Sequence, residues 1–330
     1  MSIIQKACKV IPASKIAKSY INEITDTTSK LVKKPKLVGL LANDDPAALM
    51  YATWTGKTAN NLGFQYELIQ VSKDQLEEEI YKCNNNDEIN GMIVYFPVFG
   101  NKQDQYLQQC VSIHKDVEGL NFKYISNMYH NIRYLDDNSK LMKSILPCTP
   151  LAIVKILEFI GAYNKVLDIG DRLYGKTITI VNRSEIVGRP LAALLANDGA
   201  TVYSVDINDI QLYERGDGLR YKQHKVEDCN KSLEDCAKIS DIIITGVPNK
   251  TYKFPTNYIK RGAIVINFSS EKNFNDEDVE KIASLYVPSI GKVTIAMLLR
   301  NLLRLMDNKK AANAKSIETP IQPTNQPQEI

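Results

Sequence analysis

The segment Lys176-Thr177-Ile178-Thr179-Ile180-Val181-Asn182-Arg183-Ser184-Glu185-Ile186-Val187-Gly188-Arg189-Pro190 reads as a strand, a loop and the start of a helix. A helix that begins directly after a buried strand offers unpaired N–H groups and a positive dipole end to a pyrophosphate. The glycine triplet usual in such loops is reduced to Gly188, with Asn182 and Ser184 as small neighbours. Asp206 ends the next apolar run, 18 residues beyond Gly188, near the spacing of the carboxylate that binds an adenosine ribose. A carboxylate there repels a 2′-phosphate, which points to NAD rather than NADP; the other reading of Asp206 is a residue that merely caps a strand. Arg183 is expected to contact the pyrophosphate or the ribose edge. Thr245-Gly246-Val247-Pro248 and Asn267-Phe268-Ser269 each close a buried strand, at the sheet edge where an open α/β fold holds its ligand. Gly246 would equally serve a turn alone.

The elements that must position these residues alternate along the chain. Residues 14–32 carry apolar positions near helical spacing, with Ser14 as the expected N-cap. Residues 37–42, 64–71 and 91–95 read as strands, with helices from Pro46 and over 73–81 between them. After a polar stretch without clear period, 115–144, a helix is expected over 151–160. Strands follow at 177–181, 200–205, 241–245 and 263–267, with a helix at 187–197 and a last apolar helix at 293–305. This βαβ rhythm predicts two three-layer α/β/α domains with mostly parallel sheets, the second a Rossmann-type NAD-binding domain. The polar residues 211–238, with His224 and Cys229, are expected to form a solvated loop or helix. Residues 311–330, with Pro320, Pro323 and Pro327, are expected to be a disordered tail.

Composition excludes more than it assigns. The chain has 330 residues, 24% of them charged and 44% hydrophobic, with a formal net charge of +3, so a mainly disordered protein is ruled out. No basic stripe interleaved with aromatics supports nucleic-acid binding. No apolar run reaches the roughly 18 residues of a membrane span. The first residues lack an apolar signal core, so a cytoplasmic protein with reduced thiols is expected for Cys8, Cys83, Cys110, Cys148, Cys229 and Cys236. Three scattered histidines offer no metal-ligand spacing, and no metal is expected.

Six ordered motifs go further. Asp45-Pro46-Ala47-Ala48 with Tyr51, Tyr95-Phe96-Pro97, Lys115-Asp116-Val117-Glu118-Gly119, Pro147-Cys148-Thr149-Pro150, residues 183–190 and residues 291–298 resemble the methylenetetrahydrofolate dehydrogenase/cyclohydrolase family. The resemblance runs over roughly residues 10–308, and the particular variants look closest to the family's fungal, cytosolic, monofunctional NAD-dependent branch. Most members carry Tyr-x-x-x-Lys, whose lysine serves the cyclohydrolase step; here the fourth position after Tyr51 is Thr55. Lys57 lies about 200° around the helix from Thr55 and is expected to point away from the site. The usual Gln before Leu-Pro is Tyr95, and the second Asp of Lys-Asp-Val-Asp-Gly is Glu118.

The resemblance therefore implies NAD-dependent oxidation of 5,10-methylenetetrahydrofolate without cyclohydrolase activity, in one-carbon metabolism and purine biosynthesis. It implies a folate-binding catalytic domain of residues 1–149 with 293–310, the last helix returning to pack on the first domain, and an NAD-binding domain of residues 150–292. Tyr51, Thr55, Tyr95, Glu118 and Cys148 would line the substrate site: Tyr51 against the folate ring, Glu118 on the pterin edge, Tyr95 shaping the pocket around the bridge, Cys148 on the hinge. Arg183, Ser184, Gly188, Asp206, Ile207, Gly246, Val247, Pro248, Asn267, Phe268 and Ser269 would line the NAD site. A homodimer formed across the strand at 64–71 is expected on the same ground. Without the resemblance, Tyr51 and Tyr95 read as ordinary core aromatics and Cys148 as a small buried hydrophobe. A bifunctional NADP enzyme and a catalytically silent folate or nucleotide sensor stand as alternatives.

Overall fold

The computed structural model describes residues 8–136, 139–216 and 224–318. The first half runs β1 (Lys9–Val10), α1 (Ala13–Thr28), β2 (Lys36–Leu41), α2 (Pro46–Asn61), β3 (Gln65–Gln70), α3 (Leu76–Asn85) and β4 (Gly91–Val94). Helices α4 (Lys102–Cys110), α5 (Phe122–Tyr129) and α6 (Cys148–Phe159) lead to the second sheet. There β5 (Thr177–Val181), α7 (Gly188–Asn197), β6 (Thr201–Val205), β7 (Ile210–Arg215) and β8 (His224–Cys229) are followed by α8 (Leu233–Ile239) and β9 (Ile242–Thr245). The chain ends with β10 (Ile264–Asn267), α9 (Asp276–Ile282), β11 (Leu285–Val287) and the long α10 (Gly291–Glu318).

Two sheets result. The first is three-stranded and parallel in the order β3-β2-β4, and the second is eight-stranded in the order β1-β11-β10-β9-β5-β6-β7-β8. Residues such as Ile178, Ile180, Ile243, Ile244 and Val265 are fully buried, because helices cover both faces of a parallel sheet. The β6-β7 and β7-β8 pairings are antiparallel, so the second sheet is mixed at one end. Within the 211–238 stretch expected as a solvated loop or helix, residues 211–215 and 224–229 form this hairpin, residues 233–238 are helical in α8, and 217–223 lie outside the described residues. Ile210 and Tyr213 face inward, and His224 stacks on the Tyr213 ring at 5.6 Å. At the other end β1 pairs with β11, so Lys9 and Val10 join the second sheet, not the first.

Several local expectations change. Ser14 lies inside α1 and Pro12 precedes it, since proline's fixed φ starts the helix without a side-chain cap. α3 begins three residues later than expected. The polar stretch 115–144 contains α5, whose first turn is capped by the Asn121 side chain accepting from Lys123 N at 3.1 Å. Cys148 opens α6 instead of preceding it. The helix expected over 293–305 extends to Glu318, so residues 311–318 continue it; the rest of the expected tail, 319–330, lies outside the described residues.

α10 packs on α1 and α6, and touches α2. Its buried side includes Val293, Ala296, Met297, Leu298, Leu302 and Leu305, and Arg300 bonds Glu23 of α1 through Nη2 at 2.9 Å. From that buried side Asn301 donates to the carbonyls of Val117 at 2.9 Å and Leu146 at 3.0 Å, with Cys148 Sγ at 3.5 Å. Removing the amide leaves the partly buried Leu146 carbonyl without this donor and the buried Val117 carbonyl with only the weak Cys148 thiol donor at 3.2 Å. Asn301→Ala should lower folding stability by about 2–4 kcal/mol, measured by denaturant unfolding; a loss below about 0.5 kcal/mol would show that the junction does not depend on it.

Candidate active site

The substrate side is built on α2. Asp45 caps the helix by accepting from Ala47 N at 2.9 Å, and Pro46 fits its first turn. Tyr51 and Thr55, one turn apart, share a face. Thr55 is fully buried and its hydroxyl donates to the Tyr51 carbonyl at 2.8 Å. Lys57 lies exposed on another face, with its Nζ 5.4 Å from the exposed Trp54 ring.

Tyr95 follows β4 and stands edge-on to Tyr51, ring centroids 6.0 Å apart. Asn43 donates to the carbonyls of Tyr95 and Pro97, both at 2.9 Å, fixing the turn that carries Tyr95. The Tyr95 hydroxyl is 2.9 Å from that of Tyr66 on β3. Tyr66 lies in a slot between two glycines. A Cβ at Gly39 would sit 2.4 Å from its hydroxyl, and one at Gly56 would sit 2.5 Å from its ring. Burial pushes the hydroxyls of Tyr51, Tyr66 and Tyr95 upward, so all three are neutral.

The Lys115–Gly119 motif divides its labour. Lys115 donates to the carbonyls of Cys83, Asn84 and Asn86 at 2.7–2.8 Å, closing the C-terminal end of α3. Asp116 accepts from the N–H groups of Glu118, Gly119 and Asn121 at 2.8–3.1 Å. Gly119 has φ +69°, and a Cβ there would sit 2.9 Å from the Leu146 carbonyl carbon. Glu118 is the motif's half-buried acid, and among the described residues no cation forms an ion pair with it. Burial, then the Asp116 charge, raises its carboxyl to about 8, and burial raises Asp116 to about 6 against its three N–H donors. Cys148 donates to the Val117 carbonyl at 3.2 Å, and burial, then the Glu118 charge, raises its thiol well above the usual range. It is no thiolate nucleophile. Tyr51, Cys148 and Glu118 are close enough to perturb one another, so the five expected residues converge. A cavity of about 690 Å³ bordered by α1, α5, α6 and α10 has none of these five in its lining.

The nucleotide side lies at the carboxyl ends of β5, β6, β9 and β10. β5 is flanked by β6 and β9, the point where strand order reverses and an open sheet leaves a crevice. Asn182 donates to the Gly246 carbonyl at 2.8 Å across that point. The Ser184 hydroxyl bonds Asn182 Oδ1 at 2.8 Å and accepts from Val187 N at 3.2 Å, so it shapes the start of α7. A Cβ at Gly188 would lie 2.1 Å from the Asn182 carbonyl oxygen, so only glycine lets α7 approach β5 this closely. The Phe268 ring covers Gly246. Asn267 donates to the carbonyls of Ser269, Glu271 and Pro288, and Ser269 Oγ donates to the Val247 carbonyl at 3.0 Å. Exposed Pro248 follows, and Asp206 and Ile207 are exposed at the end of β6.

Arg183, expected at the pyrophosphate or the ribose edge, has protein partners beside the end of β6. Its Nη1 donates to both carboxylate oxygens of Asp209, at 2.8 and 2.7 Å, and its Nη2 donates to the Ser204 and Asp209 carbonyls. Tyr66, Asn43, Asn301 and Asp209 were not signalled by the sequence, because each acts across a distance that only the folded chain closes.

These features fit a dinucleotide: a glycine-dependent helix approach, an exposed carboxylate at the next strand end and a crevice at the strand reversal. Comparison with known proteins agrees. The model of the tetrahydrofolate dehydrogenase/cyclohydrolase catalytic domain matches residues 11–118, and that of the family's NAD(P)-binding domain matches residues 147–216. The chain is 62% identical over 299 residues to methylenetetrahydrofolate dehydrogenase [NAD(+)] of Schizosaccharomyces pombe, covering 91% of this chain and 93% of that one. It is 45% identical to the protein of that name from Dictyostelium discoideum, over 93% of this chain and 97% of that one. The solved NAD-dependent 5,10-methylenetetrahydrofolate dehydrogenase of Saccharomyces cerevisiae superposes with a TM-score of 0.89 at 58% identity, covering 93% of this chain and all of that one. The chain belongs to the tetrahydrofolate dehydrogenase/cyclohydrolase family.

Proposed function

We propose that this protein oxidises 5,10-methylenetetrahydrofolate to 5,10-methenyltetrahydrofolate with NAD, by direct hydride transfer, and does not hydrolyse the product. The observation that carries the reading is the neutral set Thr55, Tyr95 and Tyr66. Thr55 is committed to the Tyr51 carbonyl and Tyr95 to Tyr66, at the two positions where the family's lysine and glutamine stand. Neither position offers an ammonium or an amide to orient water on a methenyl carbon.

The substrate's N5–CH2–N10 bridge needs little help, because its nitrogen lone pairs stabilise the cation left by the departing hydride. Alignment then dominates the rate. NAD, when bound, supplies the hydride acceptor. Gly188 and the start of α7 would hold its pyrophosphate, and Asp206 its adenosine ribose, with Ile207 alongside. Gly246, Val247, Pro248 and the Asn267–Ser269 turn would border its nicotinamide half. Tyr51 packs against the folate ring and Tyr95 shapes the pocket at the bridge. Glu118, whose raised carboxyl the incoming N–H donors would draw back toward the charged form, accepts from the aminopyrimidine as a carboxylate once it binds. Cys148 serves packing at the start of α6.

The unpaired edge of β3 in the three-stranded sheet supports the reading of a homodimer built across that strand. A cytoplasmic place and supply of one-carbon units to purine biosynthesis complete the reading.

Purified protein incubated with methylene-tetrahydrofolate and either cofactor should form NADH, with kcat/KM for NADP lower by about tenfold or more. Methenyl product should accumulate and decay only at the buffer rate. Absence of NADH, or enzymatic conversion of methenyl to formyl-folate, would contradict the reading.

Glu118 adds a pH signature. Its carboxyl is raised in the fold, so the stability it contributes is full below about pH 4 and is lost as pH climbs toward about 8. Glu118→Gln should therefore gain stability over the parent as pH rises from about 5 to 8, by roughly 1–3 kcal/mol, and the difference should level off above that. It should also raise KM for the folate. A stability difference that does not change with pH would place the Glu118 carboxyl outside the buried pocket.

A further inference from the structure

Arg183 and Asp209 form the most enclosed ion pair on the nucleotide side: the Arg183 side chain is 4% exposed, that of Asp209 52%. The guanidinium lies under the turn that joins β6 to β7. In that turn Asp206 N donates to the Asp209 carbonyl at 3.0 Å, so Asp206 and Asp209 close one loop. Both oxygens of the Asp209 carboxylate accept from the one nitrogen Nη1, and the Asp209 and Ser204 carbonyls accept from Nη2. Arg183 Nε is buried without a partner, so this lock leaves the cation incompletely satisfied.

We infer that Asp209 is a specificity-determining positioning residue: by holding Arg183 beneath the β6–β7 turn it leaves Asp206 as the charge presented to the adenosine ribose. The inference rests on the reading that NAD is the bound dinucleotide. Its physical content is a competition. A guanidinium prefers a bidentate anion, and both a carboxylate and a phosphate monoester satisfy that preference. While the Asp209 carboxylate holds Nη1 and the turn carbonyls hold Nη2, a 2′-phosphate at the end of β6 meets the negative charge of Asp206 and no free guanidinium edge. Without that carboxylate the guanidinium is left buried beside two carbonyls with its charge uncompensated, a costly arrangement that a 2′-phosphate relieves. Cofactor choice is then set by two acids acting differently: Asp206 repels the extra phosphate, and Asp209 withholds its natural partner.

The test compares parent, Asp209→Ala, Asp209→Asn, and Asp209→Ala combined with Arg183→Ala. The first readout is binding of adenosine 2′,5′-bisphosphate against 5′-AMP by calorimetry, which needs no folate. The second is the ratio of kcat/KM for NADP to that for NAD. Asp209→Ala should raise both the preference for the bisphosphate and the NADP/NAD ratio by about tenfold, with the gain shrinking as salt is added. The Arg183→Ala background should abolish the gain. Asp209→Asn keeps the volume and most hydrogen bonds, and should give a smaller gain in the same direction should the alanine variant fail to fold. A folded variant in which both ratios stay at the parental value, or whose gain survives Arg183→Ala, overturns the inference. A parent that makes no NADH from methylene-tetrahydrofolate, alongside a bisphosphate preference that still shifts, would instead overturn the functional reading and leave this one standing.

Discussion

One buried amide holds together the parts on which the site depends. Asn301 reaches from α10 to the Val117 carbonyl, next to Glu118, and to the Leu146 carbonyl, just before α6 begins. Neither carbonyl lies in a regular helix or strand, and buried carbonyls need donors. The chain answers by sending its last helix back from the second sheet to lie against α1 and α6. Position follows from that closure. Glu118 is displayed because Val117 on one side and the Asp116-centred turn on the other are pinned. Cys148 takes part in the same knot, which accounts for its burial.

Around this junction the substrate pocket is a study in neutrality. Tyr51, Tyr66, Tyr95 and Cys148 bring hydroxyls and a thiol that burial keeps in their uncharged forms, and the Thr55 hydroxyl carries no charge of its own. Hydrolysis of a methenyl bridge asks for groups that polarise and steer water. Hydride loss from a methylene bridge asks for alignment and for water to be kept away. Packing Tyr66 between Gly39 and Gly56 to meet Tyr95 is the structural expression of that difference.

Legibility followed the range of the interactions. The parallel strands were readable because apolar runs such as Ile242–Thr245 must be buried on both faces, and Pro46 announced the start of α2. The hairpin β7–β8 was not, since its exposed residues Lys225, Glu227 and Asp228 look like loop and only pairing with Tyr213 and its neighbours makes them strand. α5 hid in a polar stretch because its cap, Asn121, is also a common loop residue. Among site residues, Tyr51, Thr55, Tyr95 and Glu118 stood in local motifs. Asp209 and Tyr66 did not, as each gains its meaning from a partner 26 or 29 residues away. Arg183 likewise stood in a local motif, but its partner Asp209 lies 26 residues on and was not readable beside it.

Direct hydride transfer between an aligned carbon and NAD, with no protein base, is the central claim, and isotope transfer tests it most directly. Methylene-tetrahydrofolate with both bridge hydrogens replaced by deuterium should, in a single turnover, yield NADH that carries one deuterium, with none released to water. Deuterium appearing in solvent, or unlabelled NADH, would contradict it.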